Sequence, residues 1–299
     1  MTSEAMTTHL AGATTTLCRA WTVTRRDGVV LGFTDHDRDV EIDGVVHRAG
    51  SGLTARAIQQ GTGLAVDNSE ALGALTDAAI SETDLAAGRY DGAEVRLWLA
   101  NWADPSVRAL LFRGSLGEVG RKGAEFRAEL RGLSDALNQP VGLSYARGCS
   151  AVLGDSRCRF DLTQPGYFSE RILEGLEREN RVFSFATFGG FDDRWFEFGR
   201  IDVLTGAAAG LSGLVKSDRI KDGGRRIELW QGIRAALAAG DLVRFTVGCD
   251  KRSETCREKF ANLLNFRGFP HIPGEDWLTA YPRAGQGSSG GSLQAGTST

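Results

Sequence analysis

Two Asp-Gly dipeptides fix what this chain can become. Asp27-Gly28 stands between the alternating run Trp21-Thr22-Val23-Thr24 and Val29-Val30-Leu31, and Asp43-Gly44 stands between Val40-Glu41-Ile42 and Val45-Val46-His47. A two-residue hairpin turn needs positive φ at its centre, which Asp and Gly tolerate, and alternation with a period of two places the apolar side chains on one face. A chain that opens in this way is committed to antiparallel sheet. Further strands are expected at 94–100, 109–112 and 125–130. One short helix is expected near 81–87, stopped by Gly88, and another over 131–138, ended by Pro140. Trp98 and Trp102 read as core or interface aromatics.

The second half repeats the pattern. Strands are expected at 181–185, 195–204, 213–217, 225–230 and 241–247, with Asp222-Gly223-Gly224 as a hairpin turn. The clearest helical pattern runs over 253–266, where Thr255 and Glu258 have capping-box spacing, and Gly268 and Pro270 stop it. With 299 residues and 41% hydrophobic content, the chain is long enough for two cores. The reading is a mainly β protein with few short helices: an N-terminal β domain over 1–138, a C-terminal β domain over 139–283, and a disordered Gly/Ser-rich tail over 284–299. No fixed-period repeat is visible, although two β domains of similar size are compatible with a diverged duplication.

Charge narrows the function. Thirty-five basic residues face 38 acidic ones, net −3, without the basic excess or stripe of a nucleic-acid binder. The N-terminus shows no secretory signal and no stretch approaches the ~18 apolar residues of a membrane span. The expectation is synthesis in a cytosol, where clustered cysteines point to metal or catalysis before disulfides.

Four of the five cysteines form two pairs, Cys149-x8-Cys158 and Cys249-x6-Cys256. Val243, Phe245 and Val247 share one strand face and Cys249 continues their period of two. Cys256 shares a helix face with Phe260, Leu263 and Leu264 at the i, i+4, i+7, i+8 spacing. One strand–loop–helix corner therefore aims two thiols inward. Cys149 and Cys158 lie in a Gly-interrupted loop whose free N–H groups suit cluster sulfurs. Seven basic residues and five acids flank these positions, a local balance of +2. Spacing alone leaves a second reading open, four small buried hydrophobes, because x8 and x6 match neither the short zinc spacing nor a ferredoxin run. Cys18, in register with Thr22 and Thr24, reads as a free thiol.

Other motifs carry less. The acids of Asp35-His36-Asp37-Arg38-Asp39 cannot all converge on one point from an extended strand, so they read as a structural turn or subunit contact whose carboxylates cap backbone amides. Gly285-Gln286-Gly287-Ser288-Ser289-Gly290 matches a dinucleotide fingerprint by letter alone, with no strand before it and no helix after. His271 reads as locally packed, or as an alternative zinc ligand. The aromatic run from Phe183 to Phe198 reads as β core, part of it available to a subunit interface.

Gly248-Cys249-Asp250-Lys251, Thr255-Cys256 and Asn265-Phe266-Arg267-Gly268-Phe269-Pro270-His271-Ile272-Pro273-Gly274 resemble the C-terminal signature of a tail-tip hub family found in siphophages and gene transfer agents, distantly similar to the lambda tail-tip protein. Gly32-Phe33-Thr34-Asp35-His36-Asp37-Arg38-Asp39 and Gly88-Arg89-Tyr90-Asp91-Gly92-Ala93 resemble its N-terminal companion domain. The resemblance implies two β-barrel-like hub domains per subunit and a homotrimer located at the virion tail tip. A distal tail protein would lie above and a large central fibre-bearing tail-tip protein below, with DNA passing through the channel unread. It implies an iron–sulfur cluster, [4Fe-4S], on Cys149, Cys158, Cys249 and Cys256, with zinc as the alternative. It implies a structural protein and no enzyme. The rivals are a redox enzyme using the cluster, for which no cofactor motif is seen, and a tail-associated cell-wall hydrolase, for which no catalytic His/Cys or paired-carboxylate motif is seen.

Overall fold

The computed structural model describes residues 4–49, 53–55, 68–74, 81–122, 125–138, 142–221 and 223–272. Two sheets dominate, as the mainly β reading expects, one of them curled into a half-barrel. The expected tail over 284–299 lies outside the described residues, as do Asp222 and Pro140.

Sheet one is built from β1 (Leu17–Thr24), β2 (Val30–Thr34), β3 (Val40–Ile42), β4 (Val45–Arg48), β5 (Leu53–Ala55), β6 (Asn68–Ala74), β7 (Glu94–Asn101), β8 (Asp104–Lys122) and β9 (Glu125–Gly132), in the order β3-β4-β2-β1-β7-β8-β9-β6-β5. Both Asp-Gly turns form hairpins. Asp43 and Gly44 have φ of 53° and 76°, the left-handed pair that such a turn demands. The one parallel contact, β2 on β4, pairs Gly32 with His47. Trp21, Val23, Phe33, Val95, Leu97 and Phe112 centre the core. On the other face Cys18 is buried with Ala20, Val40, Ile42 and Ala100, and burial raises its thiol pKa, so it is a core thiol. The helix α1 (Glu4–Leu10), which sequence patterning does not reveal, buries Met6. The expected short helix is α2 (Glu82–Ala86), capped by the Ser81 hydroxyl and followed by Gly88 at φ 72°. The turn after β9, Leu133–Asn138, is 3-10 helix.

Sheet two is built from β10 (Phe168–Ile172), β11 (Gly175–Glu177), β12 (Val182–Phe185), β13 (Arg200–Val203), β14 (Ser212–Lys221), β15 (Gly224–Leu229) and β16 (Leu242–Thr246), in the order β10-β16-β13-β14-β15-β12-β11. Phe183, Phe185, Phe188 and Phe196 are buried together with Phe245 in a cluster of tilted and edge-on rings, whereas Phe198 is half exposed. The strand expected over 195–204 begins only at Arg200. Trp195, Glu197 and Gly199 close successive tight turns onto the carbonyls of Asp192, Arg194 and Phe196, with Arg194 and Phe198 at positive φ. A buried ion pair explains the detour. Asp218 accepts from the Phe196 amide at 2.8 Å and from Arg225 Nε and Nη2 at 2.7 and 2.6 Å.

The third helix, α3, covers only Ser253–Glu258. The expected continuation to residue 266 fails: Ala261 adopts φ 47°, Leu264 is fully exposed, and a separate 3-10 turn spans Leu263–Asn265. The expected capping box is also absent. Arg252 is the N-cap without a side-chain bond, and Thr255 Oγ1 instead donates to Asp250 Oδ2 at 2.9 Å.

The chain divides into two compact units. Both sheets belong to the first, residues 1–141 and 168–247, and the second is made of 142–167 with 248–299. Among the described residues, no helix is long and apolar enough to cross a membrane.

Candidate metal centre

All four paired cysteines fall in the second unit, and sheet two explains how. β10 pairs antiparallel with β16, and Phe168 faces Thr246. The chain that enters β10 and the chain that leaves β16 therefore start from neighbouring strand ends, although about eighty residues separate them. The segment with Cys149 and Cys158 and the segment with Cys249 and Cys256 are delivered side by side.

Main-chain bonds hold the two segments together. Cys149 N donates to Lys251 O at 2.8 Å, Phe269 N to Ala146 O at 2.9 Å and Ser150 N to Arg267 O at 3.1 Å. Gly268 permits this approach: a Cβ there would stand 2.7 Å from Arg147 O and from the Gly148 carbonyl carbon. Lys251 Nζ donates to Ala151 O across the same seam.

Asp155 shapes the loop. Its carboxylate accepts from the amides of Val152 (2.8 Å), Arg157 (2.9 Å) and Cys158 (2.6 Å), and those bonds, Cys158's first, lower its pKa. Reading this residue only as a charge missed that role, although Asp followed by Arg and Cys at i+2 and i+3 has the spacing of an Asx turn.

The thiols sense one another. Cys256 is buried and its pKa is pushed up to about 11, first by burial and then by the charges of Cys249, Cys149 and Cys158. Burial likewise raises the Cys249 thiol, with Cys149 contributing. The i, i+4 face of Cys256 and Phe260 is inward, as expected, but Leu263 and Leu264 are not part of it. Two N–H groups of the second segment address sulfurs of the first: Arg267 N lies 3.3 Å from Cys149 Sγ, and Asn262 Nδ2 lies 3.6 Å from Cys158 Sγ. All four cysteines are free thiols. Among the described residues, no three His, Cys, Asp or Glu side chains close to the span of a single metal ion. His271 is exposed.

Among the described residues of the second unit, the buried apolar side chains are Ala151, Cys256 and Phe260. Phe160 packs edge-on against Tyr167 and Phe260, and Tyr167 Oη donates to Lys259 O at 3.1 Å. Small cores of this kind are commonly reinforced by disulfides or metal.

The Asp35–Asp39 segment is a turn of the first unit. Asp35 Oδ1 accepts from Arg19 N at 2.6 Å, Asp39 Oδ1 accepts from Ala49 N at 2.8 Å, and His36 packs tilted against Trp102 with ring centroids 5.0 Å apart. Asp35 and Asp39 thus bind backbone amides, whereas the exposed Asp37 lies against His36 Nδ1 at 3.0 Å.

Residues 3–161 match a family described as "Baseplate hub protein, N-terminal attachment domain", and residues 194–276 match one described as "Phage conserved hypothetical protein BR0599". The first match carries Cys149 and Cys158 and the second carries Cys249 and Cys256. No curated relative matches the chain. A chain from a solved structure described as "Virion of native gene transfer agent (GTA) particle" is similar at 58% identity and a TM-score of 0.89, over 97% of this chain and 100% of that one.

Proposed function

This chain belongs to the phage baseplate hub protein family and is a structural protein of a virion tail, and from that premise we propose that it is the hub joining the tail tube to the tip complex, with its second unit stapled by an iron–sulfur cluster on Cys149, Cys158, Cys249 and Cys256. Its N-terminal part attaches to a distal tail protein, a reading supported by the description of the matching family as an attachment domain. A homotrimer presents the hub to the tube above and to a large fibre-bearing protein below, and its channel passes DNA without reading it. The near-balanced charge supports passage over grip.

The observation that carries the cluster is the delivery of four free thiols into one small unit by two segments about ninety residues apart. The donor set fits the group. Thiolates are its usual ligands, and N–H groups aimed at two of the sulfurs are the second layer such centres use. The cluster couples the folding of the second unit to metal binding and closes a loop whose ordering is entropically costly.

Iron and acid-labile sulfide analysis of anaerobically purified protein, together with its visible absorption, tests the proposal. Iron and sulfide in stoichiometric amounts, lost in Cys256→Ser with poor solubility and defective particles, are expected. Stoichiometric zinc without sulfide would replace the cluster by a zinc staple. Neither metal, with normal assembly of Cys256→Ser, would leave four free thiols with a packing role only.

A further inference from the structure

We propose that Asn262 is the positioning residue of the four-cysteine site, one side chain and one peptide that together set the thiols of Cys158 and Cys256. The inference rests on the cluster reading and goes beyond the ligands themselves. Asn262 comes from the second segment, four residues past α3. Its Nδ2 donates to Cys158 O at 2.7 Å and lies 3.6 Å from Cys158 Sγ. Its backbone holds the cysteine of its own segment: Asn262 N donates to Cys256 O at 3.0 Å, and the free Cys256 S–H donates to Asn262 O at 3.4 Å, a bond the thiol gives up when it becomes a ligand. One residue therefore touches a cysteine from each segment.

The orientation of its amide is fixed from both ends. Cys158 O can only accept, so its 2.7 Å bond requires the NH2 end of Asn262 to face it, and Asn265 Nδ2 donates to the Asn262 Oδ1 behind at 2.7 Å. The left-handed turn at Ala261 (φ 47°) that ends the helical run places Asn262 there. Residue 262 is also the N-cap of the following 3-10 turn, yet its side chain makes no capping bond. The carboxamide is turned to the cysteine instead.

Arg267 N makes the equivalent approach to Cys149 Sγ, but a main-chain donor cannot be edited. Asn262 is the adjustable one. An N–H aimed at a ligand sulfur withdraws electron density from it and favours the reduced state of the centre, and outer partners of this kind typically change metal retention 10- to 100-fold.

The test compares wild type, Asn262→Leu and Asn265→Ala as full-length protein purified without oxygen. Leu keeps the shape of Asn and removes the donor without adding charge. The readouts are iron and sulfide per chain, midpoint reduction potential, and the rate of iron transfer to a chelator. In Asn262→Leu, a more negative potential and iron release faster by about tenfold or more are expected, with the thermal transition of the sheets unchanged. Asn265→Ala, which frees the amide to turn, should shift both readouts the same way by less. Wild-type potential and release in both variants overturn the proposal. So does faster release without any shift in potential, which marks a merely structural residue. Should Asn262→Leu fail to fold, the potential of Asn265→Ala decides. A wild type without iron and sulfide sinks the cluster reading itself and this inference with it, a result distinct from an iron-loaded wild type whose variants behave identically.

Discussion

Replacing Arg225 with Met should destabilise the first unit more than any exposed-charge substitution. The guanidinium is 1% exposed and its partner Asp218 is 0% exposed. It makes four bonds: two to the Asp218 carboxylate, one to Phe191 O at 3.1 Å and one to Asp192 O at 2.7 Å. It also sits over the rings of Phe188 and Phe196 at 5.1 and 5.0 Å. Met fills much of the space but leaves Asp218 buried with a single donor, the Phe196 amide. Removing one partner of such a pair costs about 3–5 kcal/mol. For a unit of this size, each kcal/mol moves Tm by about 2–4 °C, so a drop of about 6–20 °C is expected. The double variant Asp218→Leu with Arg225→Met removes the stranded charge. The two carbonyls lose their donor in both variants, and what the double adds is the orphaned Phe196 amide, about 1–3 kcal/mol, against relief of the stranded charge. Chemical denaturation followed by tryptophan fluorescence, run as a double-mutant cycle, measures both. A single variant that loses less than ~1 kcal/mol, or a double variant less stable than the single, would refute the claim that an ion pair anchors the 188–196 turns to the sheet.

Two further outcomes follow from particular contacts. His47 is fully buried, with Nε2 accepting from Thr22 Oγ1 at 2.9 Å and Nδ1 donating to Val40 O at 3.3 Å, and burial lowers its pKa below the ordinary 6.5. The unfolded chain takes up the proton first, so the stability this group contributes is complete above about pH 6.5 and drains as the pH falls through the lower folded-state value. Wild type should lose up to about 1.4 kcal/mol per pH unit more than His47→Gln in that window, and equal slopes in pH-dependent denaturation would refute it. Gly268→Ala should force the two cysteine segments apart at a cost of about 1–3 kcal/mol, speeding alkylation of Cys256 while Gly148→Ala, whose added Cβ meets its nearest atoms at 3.7 Å, is tolerated. Equal alkylation rates in both variants would count against the close-approach argument.

Local features were legible in the sequence where a single rule decided them. Asp27-Gly28 and Asp43-Gly44 turn where their backbone freedom says they turn, and Ser81 caps its helix. Patterning failed where a contact from elsewhere decided. The 253–266 helical pattern is real on paper, but Ala261 breaks it so that Asn262 reaches Cys158. Arg225 alternates with Ile227 and Leu229 on the inward face of β15, a signal that its charge hid. Its partner Asp218 is turned inward only because of the bulge between Val215 and Ser217. The delivery of the cysteine segments to one unit depends on the β10–β16 pairing, and although Pro165-Gly166 marks a turn just before β10, the Phe168–Ile172 run lacks the clean alternation that would announce a strand. The resemblance to a tail-hub family pointed there, and spacing alone did not.

Sheet two is, in chain order, an insertion between the halves of a small unit, and synthesis proceeds in chain order. Cys149 and Cys158 leave the ribosome first. At ordinary elongation rates, about 5 to 20 s pass before Cys249 and Cys256 exist. For the proposed cluster to form, the early pair must stay reduced and unclaimed through that interval, and the two segments meet only once β16 has docked on β10. A chain cut short before Cys249 therefore carries two thiols without their opposite pair and no second unit, so this unit can form only after the whole inserted sheet has been made.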